Sequence, residues 1–86
     1  MYNIFFENRV SKDLKNLPKA LIRQILDRIE TLLKNNPFTG EKLEYRGIQL
    51  YRYRVRDYRI IYRIDTAKKE LTVYRIRHRK EVYRDL

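Results

Sequence analysis

The sequence contains no cysteine, and it has one histidine, two glycines and two prolines among 86 residues. A chain without cysteine has no disulfide, no thiolate metal site and no thiol nucleophile, which fits a reducing, intracellular setting. No apolar run approaches the roughly 18 residues that a membrane span requires. The N-terminal residues also lack the basic and apolar regions of a signal peptide. These absences predict a soluble, cytoplasmic protein.

The chain has room for a single hydrophobic core. At this length a second core would lack the volume to close, so residues 1–86 are predicted to form one domain. Hydrophobic residues make up 43% of the composition, but eight of them are tyrosines. The expected core is therefore modest. The sequence shows no internal repeat and no low-complexity segment.

Acidic residues are scarce beside basic ones: 11 Asp and Glu against 21 Lys and Arg, a formal net charge of +10. The excess is larger in residues 44–86, where ten of the thirteen basic residues are Arg. A planar guanidinium matches phosphate oxygens better than an ammonium does. The composition thus predicts binding to a polyanion. The alternative is a solvated basic surface of the kind found in thermophilic proteins.

Helical periodicity is confined to the N-terminal half. From Pro18 to Lys34 the apolar residues fall on one helical face, at Leu21, Ile22, Ile25, Leu26, Ile29, Leu32 and Leu33. Pro18 suits the first turn of this helix, and Pro37 follows its end. A shorter helix that Asn8 can cap precedes it. The two helices are predicted to form a hairpin.

The remaining segments are predicted to be strands and loops. Tyr2–Phe6 has the composition of a strand, and Asn36–Gly47 is predicted to be a loop because it holds Pro37, Gly40 and Gly47. From Tyr51 to Ile64 the period is two, interrupted only at Arg56-Asp57, which predicts a tight antiparallel hairpin.

A third meander strand covers Leu71 to about Arg77. Its apolar residues change sides, which a β-bulge near Tyr74 would explain. The last residues, 79–86, are predicted to form a short helical tail. The resulting fold class is α+β: an antiparallel twisted sheet, in the order β-α-α-β-β-β, with the N-terminal helical hairpin packed on one face.

Alternation in the meander predicts a face rich in arginine. If Tyr53, Val55, Ile60, Tyr62 and Ile64 pack under the helices, the opposite face carries Arg52, Arg54, Arg59 and Arg63. Neighbouring strands lie about 4.8 Å apart, so this predicts a patch of roughly 10 Å. Like charges this close need an anion or carboxylates nearby. The meander has few carboxylates, so the pattern favours a phosphate-binding face.

The C-terminal segment contains side chains suited to proton transfer. Metal-free cleavage of RNA requires that the 2′-hydroxyl lose a proton and that the 5′-oxygen gain one. Arginine is a poor acid or base because it stays protonated. The candidates are His78, Lys80, Glu81 and Tyr83. Each also has an ordinary structural explanation, since a lone histidine is usually a hydrogen-bonded surface group and a terminal tyrosine usually packs.

The segments LYRYRVRDYRIIYRID (Leu50–Asp65) and HRKEVYRDL (His78–Leu86), in this order after a strand and a helical hairpin, resemble the RelE branch of the RelE/ParE toxin superfamily. The resemblance spans almost the whole chain. It implies a type II toxin that enters the ribosomal A site and cuts mRNA there without metal or cofactor. It also implies three partners: the ribosome, its mRNA and a RelB-like antitoxin.

The same resemblance implies roles for individual residues. Arg52 and Arg54 fall where RelE-like enzymes grip the mRNA backbone, and Arg59 matches an arginine that stabilises transition-state charge. Arg77 matches an arginine with an acid or charge-stabilising role, and Tyr83 matches the proposed base. His78 stands where the best-known member has an acidic residue, so we expect it to share in proton transfer. Further RNA contacts are expected from Arg63, Arg79 and Lys80.

Two other functions use the same features differently. A ParE-like inhibitor of DNA gyrase would have this fold without phosphodiester chemistry, although such members typically lack the terminal tyrosine block. A basic RNA- or ribosome-binding domain with no catalytic role would need only the positive charge, with the C-terminal segment serving in packing.

Overall fold

The chain folds as a five-stranded sheet with two helices, and the computed structural model describes residues 1–81. The elements are β1 (Asn3–Phe6), α1 (Arg9–Leu14), α2 (Lys19–Arg28), β2 (Glu41–Tyr45), β3 (Ile48–Val55), β4 (Tyr58–Asp65) and β5 (Glu70–His78). Residues 79–81 form a turn. The rest of the predicted helical tail lies outside the described residues. No helix within 1–81 has the length and apolar character to cross a bilayer.

The sheet is mixed, with the strand order β1-β5-β4-β3-β2. β1 runs parallel to β5, whereas the other neighbours are antiparallel. The α+β class is therefore confirmed, but the prediction of a wholly antiparallel sheet is wrong. The helices carry the chain from β1 to the far edge of the sheet, and the meander then returns strand by strand. The last strand arrives beside β1 in the same direction.

The predicted loop Asn36–Gly47 contains a strand. After a 3₁₀ turn at Pro37–Thr39, β2 pairs along its whole length with β3. The two strands are joined by Arg46 and Gly47, whose φ angles of 51° and 80° are both positive. A two-residue turn with two positive φ angles matches the twist of a hairpin. Gly47 at its second position therefore marks a hairpin and not an open loop.

The long helix is confirmed over almost its predicted extent. α2 begins after Pro18 and continues as one wider, π-type turn over Ile29–Leu33. Its buried side chains are Ile25, Ile29 and Leu33, which lie on the predicted apolar face. Asn8 does occupy the position before α1, but its side chain makes no capping hydrogen bond. The Ser11 hydroxyl instead donates to the Asn8 carbonyl.

The core lies between the helices and one face of the sheet, as alternation in the meander predicts. The strand residues that contribute to it are Tyr51, Val55, Ile60, Tyr62, Leu71, Val73 and Ile76. Tyr62 is fully buried, and its hydroxyl donates to the Pro37 carbonyl at 2.6 Å and accepts from the Gly40 N–H at 3.2 Å. A Cβ at Gly40 would collide with this hydroxyl and with the Arg52 carbonyl. The tyrosine thus ties the segment before β2 to the sheet.

The predicted bulge near Tyr74 is confirmed. Ile61 pairs with Arg75 and Tyr62 pairs with Val73, which leaves Tyr74 as the extra residue of β5. Because of this shift, Val73 and Ile76 both face the helices. Tyr74 packs instead against a second, smaller cluster around Leu50 and Ile61 on the other face. The bulge therefore explains why the apolar residues of β5 change from odd to even positions.

A partly buried ion pair connects α1 to the part of β5 beyond the end of β1. Arg75 Nε and Nη2 donate to the two carboxylate oxygens of Asp13 at 2.9 and 2.8 Å. The same carboxylate accepts the Ile76 N–H at 2.9 Å. The Asp13 and Arg75 side chains are only 6% and 14% exposed. Asp13 therefore occupies the open edge where a neighbouring strand would otherwise pair.

Replacing Tyr62 with Phe tests the role of its hydroxyl. Burial raises the pKa of the Tyr62 phenol above its ordinary value of 10.0. The fold thus favours the neutral phenol, so its contribution is complete below pH 10 and is lost as the pH rises further. We expect Tyr62→Phe to lower the free energy of unfolding by about 1–3 kcal/mol at pH 7, because two backbone partners lose their bond. Urea denaturation from pH 7 to 11 should show a shallower alkaline decline for the variant. A decline as steep as in wild type would contradict this role, and Tyr74→Phe is the control.

Removing the Asp13 carboxylate tests the edge ion pair. We expect Asp13→Ala to lower the free energy of unfolding by about 1–3 kcal/mol, because the partly buried Arg75 guanidinium and the Ile76 N–H lose this acceptor. The control is Glu30→Ala, which breaks the exposed Glu30–Lys34 pair and should cost less than about 0.5 kcal/mol. Equal losses in the two variants would show that Asp13 does not brace this edge.

Candidate nucleic-acid interface

Three arginines lie directly opposite one another on the central strands. Arg59 of β4 pairs with Arg54 of β3 on one side and with Arg77 of β5 on the other. We call Arg54, Arg59 and Arg77 the arginine row. Their neighbour Ile60 faces the helices, so the row belongs to the opposite face of the pleated sheet. Directly opposed residues lie about 4.5–5.5 Å apart between Cα atoms.

Arg52 lies two residues along β3 from the arginine row, on the same face. It pairs in register with Ile61 of β4 and with Glu41 of β2. Its Nη2 atom is 3.4 Å from Glu41 Oε2, and the Glu41 side chain is 75% exposed. Sequence reasoning missed Glu41 because its strand was predicted as a loop. The alternation of Glu41, Leu43 and Tyr45 was the signal that could have placed it.

The arginine row is electrostatically crowded around Arg59. Burial is the main cause that lowers the pKa of the Arg59 guanidinium, and the positive charges of Arg54, Arg52 and Arg79 lower the pKa further. Asp57, in the turn between β3 and β4, opposes this effect. The Asp57 carbonyl also accepts the Arg79 N–H at 2.7 Å. The turn thereby brings Arg79 towards the row.

Arg77 is held by a carboxylate at the end of the described chain. Its Nη2 atom is 3.3 Å from Glu81 Oε2, and its side chain is only 14% exposed. Arg77 also lines a groove of about 260 Å³ at the open edge of β5, together with Asp13, Tyr58, His78 and Glu81. The backbone of Arg77 thus belongs to the arginine row, while its guanidinium is engaged at the sheet edge.

His78 lies on the other face of the sheet from Arg59. It pairs in register with Tyr58, which packs against the main core, and the two rings meet edge to face at 5.3 Å. Its Nδ1 atom accepts the Lys80 N–H at 3.2 Å. The predicted association of His78 with Arg59 is therefore not what the fold produces. The strand continues to His78, one residue past its predicted end, and alternation places the imidazole on the helix side of the sheet, beside Tyr58 at the edge groove.

The remaining predicted residues lie in three different places. Arg63 is exposed and lies four residues beyond Arg59 on β4, a separation of about 13 Å along the strand. The predicted 10 Å patch is therefore too small to include it. Lys80 is exposed in the turn after β5. Tyr83 lies outside the described residues.

On the exposed face Arg52 and Arg77 are paired with Glu41 and Glu81, whereas within residues 1–81 Arg54 and Arg59 form no ion pair. Arg54 and Arg59 can donate several hydrogen bonds to one phosphate, because each guanidinium carries five N–H groups in a planar fork. Within residues 1–81, histidine and acidic side chains form no cluster of three or more that could hold a metal ion. The chemistry available at the arginine row is therefore binding an anion and stabilising negative charge.

Comparisons with known proteins place the chain among bacterial and archaeal toxins. A family described as the ParE toxin of type II toxin-antitoxin systems matches residues 4–83. Putative toxin RelE1 of Methanocaldococcus jannaschii is 30% identical, covering 98% of this chain and 97% of that protein. A chain of the archaeal RelE-RelB complex from Pyrococcus horikoshii OT3 is 34% identical with a TM-score of 0.69, covering 91% of this chain and 94% of its own.

The fold itself has a further counterpart in Mycobacterium tuberculosis. A chain of the RelBE2 toxin-antitoxin complex superposes with a TM-score of 0.81, covering 90% of this chain and 96% of its own. The two sequences are only 24% identical. The likeness therefore concerns the arrangement of helices and strands.

Anion binding at the arginine row can be measured by thermal unfolding. Pyrophosphate at ten times its dissociation constant should stabilise the fold by about 1.4 kcal/mol, or about 6–11 °C for a domain of this size. We expect Arg59→Ala to lose most of this gain, because one of the central donors is removed. Arg23→Ala, which removes an exposed arginine on α2, is the control. Equal gains in both variants would place the anion elsewhere.

Proposed function

Because the chain belongs to the RelE/ParE superfamily of type II toxin-antitoxin toxins, we propose that it is an endoribonuclease that cleaves mRNA in the ribosomal A site. The observation that carries this proposal is the arginine row, where Arg59 is flanked in register by Arg54 and Arg77. Such a row suits the scissile phosphate of a single-stranded RNA. Cleavage of this kind would halt translation.

The proposed reaction is an attack of the RNA on itself. The 2′-hydroxyl loses its proton and its oxygen bonds to the adjacent phosphorus. The bond from phosphorus to the 5′-oxygen breaks, and that oxygen takes up a proton. The products are a 2′,3′-cyclic phosphate and a free 5′-hydroxyl. Charge that develops on the phosphoryl oxygens is stabilised by Arg59, with Arg52 and Arg54 holding the neighbouring backbone.

Proton transfer requires groups other than these arginines. We propose Tyr83 as the base, because basic residues precede and follow it in the sequence and positive charge close to a phenol favours the phenolate. Arg77 contributes its charge once a phosphate displaces the Glu81 carboxylate from its guanidinium. The Glu81 side chain is half exposed, so this ion pair contributes little free energy and can exchange for a phosphate. His78 remains a candidate acid only if RNA reaches the edge groove that it lines with Arg77. Arg63, Arg79 and Lys80 are proposed to bind RNA outside the reacting phosphate.

The proposed partner is a RelB-like antitoxin. The solved relatives from Pyrococcus horikoshii and Methanococcus jannaschii are RelE chains in complex with RelB. The net charge of +10 on this chain favours an acidic antitoxin segment that competes with RNA for the arginine row. The ribosome and its mRNA are the remaining proposed partners. No metal takes part in the proposed reaction.

Inhibition of DNA gyrase is the second candidate. It is favoured by one observation, the family match to a ParE toxin over residues 4–83. Primer extension on mRNA from expressing cells separates the candidates. Cuts in phase with codons support cleavage in the A site, whereas intact mRNA with DNA damage supports gyrase inhibition. Intact mRNA without DNA damage indicates a binding domain with no catalytic role.

Arg59→Ala tests the proposed charge stabilisation. The substitution should reduce mRNA cleavage by about 30- to 1000-fold, because it removes an interaction that strengthens in the transition state. Single-turnover cleavage on programmed ribosomes is the measurement, with circular dichroism to confirm folding. Arg23→Ala should cleave at the wild-type rate. Full activity of Arg59→Ala would exclude the arginine row as the site of reaction.

Arg52→Ala and Arg54→Ala test the proposed interaction with the RNA backbone. Each should weaken binding to ribosomes carrying an uncleavable 2′-O-methyl mRNA. Each substitution that removes a cation from a phosphate should reduce the slope of log K against log salt by about 0.7. Binding measured at four salt concentrations gives this slope. Slopes that match wild type would show that these side chains do not bind phosphate.

A further inference from the structure

A polar groove lies at the end of β3 and β4 away from the arginine row. Its volume is about 350 Å³, and its lining includes Phe38, Gln49, Tyr51, Arg63 and Thr66. The two turns that border it precede β3 and follow β4. The groove is therefore built on the same two strands as Arg54 and Arg59. None of the steps proposed above uses it.

Phe38 offers an exposed aromatic surface in this groove. The side chain follows Pro37 in the 3₁₀ turn and is 51% exposed. Its ring meets the nearly buried Tyr51 ring edge to face, with centroids 5.9 Å apart and planes at 82°. Tyr51 in turn stacks on the fully buried Tyr62. A large aromatic side chain is thus held in place while half of its surface faces solvent.

Gln49 presents an oriented amide beside this ring. Its Nε2 atom donates a hydrogen bond to the Tyr51 hydroxyl at 2.9 Å. An amide has two N–H donors and one carbonyl acceptor, so one donor and the Oε1 acceptor remain for a ligand. A donor next to an acceptor is the pattern that the hydrogen-bonding edges of nucleobases complement. The amide is therefore suited to read a base edge.

Arg63 supplies positive charge at the rim of the groove. The side chain is exposed, and among residues 1–81 it forms no ion pair. The neighbouring Asp65 carboxylate accepts the Lys68 N–H at 3.0 Å within its own turn. Arg63 belongs by alternation to the face of the arginine row and also lines the groove. It therefore links the two regions.

We propose that this groove binds one unpaired nucleotide of RNA, with the base stacked on Phe38, its edge bonded to Gln49 and its phosphate bound by Arg63. The inference rests on the proposed function and extends it, because it adds a binding site away from the reacting phosphate. Arg63 lies about 13 Å along the strand from Arg59. We therefore assign the groove to a nucleotide other than the one that is cleaved. A pocket for its base makes the toxin selective for mRNA sequence at that position.

Nucleotide binding to the full chain tests this inference without requiring catalysis. The probes are the four 5′-nucleoside monophosphates, titrated into ¹⁵N-labelled protein and followed by amide chemical shifts. We expect shifts concentrated at Gly47, Gln49 and Thr66. Phe38→Ala should weaken this binding by about 5- to 150-fold, the range for removing one aromatic ring on which a base stacks. Phe38→Leu keeps apolar volume without the ring and should weaken it as well. Arg23→Ala, an exposed substitution on α2 outside the groove, should leave it unchanged.

Several results would overturn the inference. Shifts confined to the arginine row, an absence of shifts, or groove binding that survives Phe38→Ala would each exclude stacking of a base on Phe38. Shifts at the groove from an acidic antitoxin peptide, with none from nucleotides, would assign it to protein binding. These failures differ from failure of the proposed function, which is judged by cleavage in Arg59→Ala.

A second measurement connects the groove to cleavage. On a library of mRNAs with a randomised A-site region, Gln49→Ala should flatten the base preference at one position near the cut. Arg59→Ala should lower cleavage of all sequences alike. An unchanged preference profile in both Gln49→Ala and Phe38→Ala would contradict a role of the groove in sequence selection.

Discussion

The register of β4 between its two neighbours is the constraint on which the site depends. With Arg59 opposite both Arg54 and Arg77, alternation places Ile60 and Tyr62 under the helices. A slip of one residue would bury guanidinium groups and expose the core. The free energy of burying these apolar side chains therefore holds Arg54 and Arg59 side by side, with the backbone of Arg77 in the same row and its guanidinium paired with Glu81. Repulsion within the row is a cost that this burial offsets.

Two sets of side-chain contacts, one at each edge of the sheet, stabilise this register. The Tyr62 hydroxyl joins the sheet to the segment before β2 through Pro37 and Gly40. At the opposite edge, Asp13 takes the place of a strand beside β5 and binds Arg75. The Tyr62 hydrogen bonds hold the edge strand that carries Glu41, and the Asp13–Arg75 ion pair holds the open edge of β5 that carries Arg77. Contacts on the helix side therefore stabilise both edges of the arginine-bearing face.

Local patterns in the sequence were sufficient for much of this arrangement. Alternating arginines predicted the charged face because alternate residues of a strand point to opposite faces of the sheet. The change of side of the apolar residues in β5 predicted the bulge at Tyr74. What escaped prediction depends on long-range partners. The strand at Glu41–Tyr45 is short and flanked by turn residues, so its alternation alone did not predict a strand. Its pairing with β3, where Leu43 lies opposite Leu50, depends on a partner that the local sequence does not show. The parallel pairing of β1 and the contact of Asp13 with Arg75 join distant parts of the chain.

The position of His78 illustrates the same limit in the site. One extra residue of strand, paired with Tyr58, moves its imidazole to the face opposite Arg59. Sequence proximity to Arg77 suggested a site shared with Arg59. Arg77 and His78 do line one groove at the edge of β5, but the pleat places the imidazole on the face opposite the Arg59 side chain. The chemistry proposed for the toxin therefore divides into charge stabilisation at Arg59 and proton transfer from elsewhere. The separation of these two roles follows from the strand pairing of His78 with Tyr58, which the spacing of residues in the sequence did not predict.

The central claim is that the scissile phosphate binds at the arginine row. The most direct measurement is the structure of this protein on a ribosome whose A-site mRNA carries a 2′-O-methyl group at the attacking position, which blocks the reaction. We expect a phosphate oxygen within about 2.7–3.2 Å of the Arg59 guanidinium, with Arg54 beside it. An mRNA that passes over the helices instead, with Arg59 facing solvent, would contradict it.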